Sequence, residues 1–230
     1  MRAPESAKAL EIRWQRVARL TQVQRVVTGV TIDDGEGSEG AEAAEAPAQP
    51  TWTQPLFVLV SDDLVADEVL DTLELETFGE EKVALASRAF RCVRMTPEDA
   101  AREPLLADTG EAFPRLVVLD PARNDVKVLD KERDLGPRPV YAAMRKIADR
   151  FYEGARVDKL VKQNQKLLAA LDKLAPDIFK TGEDRSEAEA KGDEGKARRL
   201  AAELEKLEAE RAGLLEEQAR LWAALEPATV

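Results

Sequence analysis

Four apolar runs of strand length stand in the middle of the chain: PLFVLV (55–60), AFRCVRM (89–95), RLVVLD (115–120) and DVKVLD (125–130). They are short and rich in β-branched or aromatic residues, the pattern of strands rather than helices. PLFVLV, apolar throughout, predicts a buried strand. The last two runs flank a turn signal around Pro121–Asn124 and predict an antiparallel pair. Between the first two runs, Leu64, Val65, Val69, Leu73 and Leu75 are spaced as in a helix. After the last, Val140, Met144, Ile147 and Phe151 share one face of a helix beginning near Pro139. The resulting order over residues 54–152 is an α/β layout built on one central sheet.

Two different patterns flank this block. Upstream, Leu10, Trp14, Val17 and Leu20 recur at helical spacing and VQRVVTGVTI (23–32) is rich in β-branched residues, so the arm over residues 1–32 predicts a helix followed by a strand. Residues 33–53, beginning DDGEGSEGAEAAEAPAQP, are acidic and small. Such a segment buries too little apolar surface to offset its ordering entropy, and it reads as a flexible insertion: a solvated linker first, an acidic interaction tail second.

Downstream, residues 153–230 take a heptad register. Val157, Leu160, Asn164, Leu167, Leu171, Leu174 and Ile178 alternate steps of three and four, with Asn164 as the polar member. After KTGEDRSEAEAKGDEG, read as a flexible break over about residues 180–196, Leu200, Leu207, Leu214 and Leu221 recur every seven residues, with Leu204, Arg211, Gln218 and Leu225 between them. Burying a leucine is worth about 1.5–3 kcal/mol, so the seam requires a cover. The expectation is a helical hairpin folded on itself. A second chain is the other candidate, with Asn164, Arg211 and Gln218 fixing register, and two hairpins can also pair as a four-helix bundle.

Composition narrows the functional classes. With 45 acidic against 34 basic residues and a net charge of −11, the chain is a poor match for phosphate backbones or anionic lipid surfaces. A single cysteine, Cys92, cannot form an intrachain disulfide, and the absence of histidine excludes imidazole metal ligands and histidine-based triads. No phosphate-binding loop, GxGxxG or CxxC occurs, and no cofactor or metal is expected. The first twenty residues contain no apolar stretch of signal-peptide length and no run approaches the ~20 apolar residues of a membrane span, so a cytoplasmic protein is expected.

The order of elements, the spacing from PLFVLV through FRCVRM to the Phe113–Pro114 dipeptide before RLVVLD, and the helix after DLGPRP together resemble the thioredoxin superfamily. The resemblance covers about residues 54–151, with the arm around Trp14 as a candidate for the first strand and helix. It implies a thioredoxin-like three-layer domain with an appended long-helix coiled-coil hairpin. It also implies a cis peptide after Phe113, facing the position where the family carries its cysteine pair. That position falls here on SDDLVADE (61–68), which has no sulfur. A helix N-terminus favours a carboxylate by about 0.3–1 kcal/mol, so Asp62 and Asp63 read as helix-capping residues. A cation site needs more converging oxygens than one dipeptide offers.

The expectation is therefore a non-catalytic protein that binds protein partners through Asp62, Asp63, Phe113 and Pro114 and assembles through its helical arms, with a homodimer as one outcome. The alternatives are a monothiol redox protein using Cys92, against which stands the habit of a lone strand cysteine to behave as a small buried hydrophobe, and a holdase or scaffold working through the helices.

Overall fold

A computed structural model of the chain describes residues 3–20, 54–62, 68–122, 125–153, 155–223 and 225. The strand expected at 23–32, the acidic insertion, and Asp63, Leu64 and Val65 lie outside the described residues.

The core is a five-stranded mixed sheet: β1 (Gln15–Arg16), β2 (Leu56–Val60), β3 (Arg91–Met95), β4 (Arg115–Asp120) and β5 (Asp125–Leu129), in the order β1-β3-β2-β4-β5. β3 runs parallel to β1 and β2, whereas β4 pairs antiparallel with β2 and β5 antiparallel with β4. Every residue of β2 and β4 is buried. Their apolar side chains alternate between two layers. Phe57, Leu59, Leu116 and Val118 face one, where α3 (Glu81–Ala86) and α5 (Pro137–Phe151) pack. Leu56, Val58, Val60, Val117 and Leu119 face the other, with Ala100 of α4 (Pro97–Ala101) and Leu106. A strand covered on both faces reads as a continuous apolar run, which is why these two were so legible.

The N-terminal arm corrects the helix expected over Leu10–Leu20. The helix, α1, is Pro4–Ala9, and the chain then extends to form β1 on the edge of the sheet against β3. The missed residue is Ile12. Leu10, Ile12 and Trp14 pack against one core layer and Val17 against the other, which is strand periodicity. Leu20 is completely buried, and its N–H donates to the buried carboxylate of Glu103 at 2.9 Å.

The described part of the second helix, α2, is Glu68–Thr72, continuing as a wider turn over Leu73–Thr77 in which Phe78 N–H donates to Leu73 O at 3.0 Å. Leu70 and Leu73 turn inward, while Val69 and Leu75, expected on the same face, are exposed. A Cβ on Gly79 would stand 2.3 Å from the Leu75 carbonyl oxygen, so only glycine fits this close turn.

Helices α6 (Val157–Ala190) and α7 (Glu194–Ala223) form the expected hairpin, but the break is a three-residue turn rather than a segment of some sixteen residues. Gly182 stays helical. One helical glycine costs only about 1 kcal/mol relative to alanine, and the i,i+4 pairs Arg185–Glu189 and Lys191–Glu187 support the same stretch. The chain reverses instead at Gly192, at φ +72°. Its N–H donates to Glu189 O at 3.0 Å and that of Asp193 to Ala188 O at 2.9 Å, closing the helix end, while Asp193 Oδ1 accepts the Lys196 N–H at 2.9 Å and starts α7.

The hairpin is not a separate appendage. Val157, Val161, Leu168 and Leu171 belong to the same buried cluster as Phe57 and Met144, and Leu214, Leu215 and Trp222 of α7 pack against it. The amide of Ala3 donates to Asp172 Oδ1 at 2.7 Å, and Ser6 Oγ donates to Leu168 O at 3.4 Å. Of the seam residues, Leu167, Leu171 and Leu174 are buried, whereas Leu160, Leu200, Leu207, Leu214 and Leu221 are half-buried. Asn164, fully buried, accepts at Oδ1 from Gln218 Nε2 at 2.9 Å. A buried polar pair of this kind tolerates only one alignment of the two helices.

Candidate functional site

The antiparallel register of β2 and β4 brings two of the sequence-derived segments together. Val60 pairs with Arg115, so Ser61 and Asp62 leave the sheet beside Pro114 and Phe113. Ser61 extends the parallel ladder by one bond, donating to Met95 O at 3.1 Å. The Phe113–Pro114 bond is cis. Pro114 is buried, Asp62 is half-buried, and Phe113 is 53 % exposed. Asp63 lies outside the described residues. The described part of α2 starts at Glu68, so the capping expected of the pair also falls outside the described residues.

Arg115, directly after the cis bond, was missed by the sequence reading. It is 3 % exposed, and its Nη1 donates to the Ala112 carbonyl at 2.9 Å, so it braces the loop that presents Phe113. Burial lowers its pKa, while Asp130 nearby favours the charge. The only sequence signal is an arginine leading a run of buried apolar residues, where a charge must find a carbonyl or carboxylate to remain.

Cys92 is not part of this arrangement. It pairs with Phe57 near the start of β2 and β3, about 10 Å along the sheet from Met95 and the Asp62 end. Its side chain is 5 % exposed, with Sγ 3.6 Å from Ser87 O. Burial pushes the thiol up to about 12, a smaller opposing effect coming from the Ser87 contact. A thiolate is the reactive form, so the native protein should react with iodoacetamide far more slowly than the unfolded chain, with a rate that stays low between pH 7 and 10. The folded state holds this proton more tightly than the unfolded state, whose thiol titrates near 8.5. The contribution to stability is therefore intact below about pH 8.5 and lost as pH rises towards 12. Rapid native alkylation at pH 7.5 would contradict both expectations.

Among the described residues no group of three or more carboxylate or sulfur side chains could hold a metal ion, and no helix is long and apolar enough to cross a membrane. No family model, curated protein or solved structure matches the chain. What defines the class here is thus the architecture itself: a mixed α/β sheet whose core is shared with a long helical hairpin.

Proposed function

We propose that the chain is a thioredoxin-like binding protein without redox chemistry, which holds protein partners at the Phe113–Pro114 end of its sheet. The strand order β1-β3-β2-β4-β5, the reversal of direction at β4 and the cis bond at its start support the thioredoxin-like reading. The observation that carries the binding role is Phe113. Large apolar side chains exposed among the described residues are Val69, Leu75, Phe113 and Phe179, and of these Phe113 is the one at a sheet end beside a loop. An exposed aromatic next to irregular backbone can anchor an extended peptide while the backbone supplies hydrogen bonds. The monothiol alternative gains nothing from a cysteine whose side chain is buried.

Affinity capture with the intact chain tests this reading. Phe113→Asp should abolish recovery of partners that the unaltered protein retains, with its thermal midpoint changed little because the side chain is more than half exposed. Unchanged recovery, or multiple turnover in a disulfide reductase assay, would sink it.

A second reading rests on the hairpin. Phe179, 65 % exposed, lies on α6 beyond the last residue shared with the sheet core, and the α7 leucines are only half-covered. This supports a scaffolding role in which the hairpin meets a second copy or a client helix.

A further inference from the structure

At the opposite end of the sheet from Phe113, the arm, the turn before β3 and the end of α7 enclose a cleft of about 410 Å3. Arg13, Arg88 and Arg91 line it with Gln54 and Trp222, and among the described residues the only carboxylate on its wall is that of Glu11. In a chain of net charge −11, three guanidiniums against one acid is a local reversal of sign. Among the described residues, Arg13, Arg91 and Glu11 enter no ion pair. Arg88 is half-buried and held by Nε and Nη2 on the Ala9 carbonyl at 3.2 and 3.1 Å. Burial lowers the pKa of Arg88, and the positive charge of Arg13 lowers it further.

The geometry points to a binding site for a small, multiply charged oxyanion, a compound carrying phosphate groups or several carboxylates. Planar guanidinium forks match both groups, and neutralising three cations beside one acid calls for a charge of about −2. The volume exceeds what inorganic phosphate fills and falls within the range of about 300–1,000 Å3 typical of small-molecule sites. The indole of Trp222 supplies an apolar wall, leaving room for a carbon skeleton behind the charged group.

Calorimetric titration of the full chain at low ionic strength, with pyrophosphate and citrate as separate probes, tests the inference. At least one should bind saturably at one equivalent. Arg13→Gln and Arg91→Gln should each weaken it by about tenfold or more, the worth of a charge-assisted hydrogen bond. Tighter pyrophosphate binding assigns the site to phosphate compounds, and tighter citrate binding to polycarboxylates. Arg198→Gln, on the exposed start of α7, should change nothing. Absence of saturable binding by either probe would overturn the proposal, as would equal weakening by Arg198→Gln.

Discussion

Phe57→Ala will destabilise the protein by about 3–5 kcal/mol, the largest loss expected from any single substitution discussed here. Phe57, the second residue of β2, is completely buried. Its ring lies 5.3 Å from Trp14, 6.1 Å from Phe78 and 6.4 Å from Phe90, and Trp14 and Phe78 are themselves 5.2 Å apart. One side chain thus joins three elements distant in sequence: the N-terminal arm, the end of the second helical segment and the turn into β3. Tilted and edge-on aromatic pairs add about 0.5–1.5 kcal/mol beyond burial, so alanine forfeits packing on several sides as well as leaving a cavity. Trp14→Ala should cost less. That ring is only half-buried, and part of its stabilisation comes from the Arg94 guanidinium 5.8 Å from its centre. Urea denaturation followed by circular dichroism measures both losses. A Phe57→Ala midpoint equivalent to less than about 1 kcal/mol would mean that the arm and sheet do not share this cluster.

The contrast between Phe57 and Trp14 also marks where the sequence was readable. β2, β4 and α5 were legible because burial on two faces, or on one helical stripe, writes itself into the apolar pattern over five to fifteen residues. The arm was not. Its strand has two paired residues, and its apolar positions satisfy helical and strand spacing equally until Ile12 is counted. What decides between them is the unpaired edge of β3, a partner more than seventy positions away that local propensity does not encode. The reach of α6 was hidden for a related reason. Lys180–Glu189 looks like a loop by composition, but Thr181 and Ala188 are buried, and small side chains suffice where two helices lie close. At the candidate site, Phe113 and Pro114 were visible as a dipeptide placed before a strand. Arg115 was not, since its role depends on a carbonyl presented by the loop it folds back on. The arginine cleft was wholly invisible: Arg13, Arg88 and Arg91 meet only after β1 joins the sheet and α7 returns beside them.

Leu168→Ala should cost about 2–5 kcal/mol and leave a single unfolding transition. Leu168 is 1 % exposed on α6, within the cluster that contains Phe57, Met144 and Ile147, and its carbonyl accepts from Ser6. If hairpin and sheet were independent, a substitution in α6 would melt the helices early and leave the sheet intact. A shared core requires the opposite, because the cavity opens between layers that stabilise each other. Leu207→Ala provides the comparison. That side chain is half-buried on α7 in the outer part of the hairpin and is absent from the shared cluster, so its loss should be nearer about 1 kcal/mol. Monitoring helix content by far-ultraviolet circular dichroism and core packing by tryptophan fluorescence separates the outcomes: coincident curves for Leu168→Ala place α6 inside the sheet's cooperative unit, and curves that part would make the hairpin a unit of its own. The result bears on function through the position of α7. Trp222 reaches the arginine cleft and Leu214 the shared core from the same helix, so a ligand seated against Arg13 and Arg91 would stabilise the hairpin base along with the sheet.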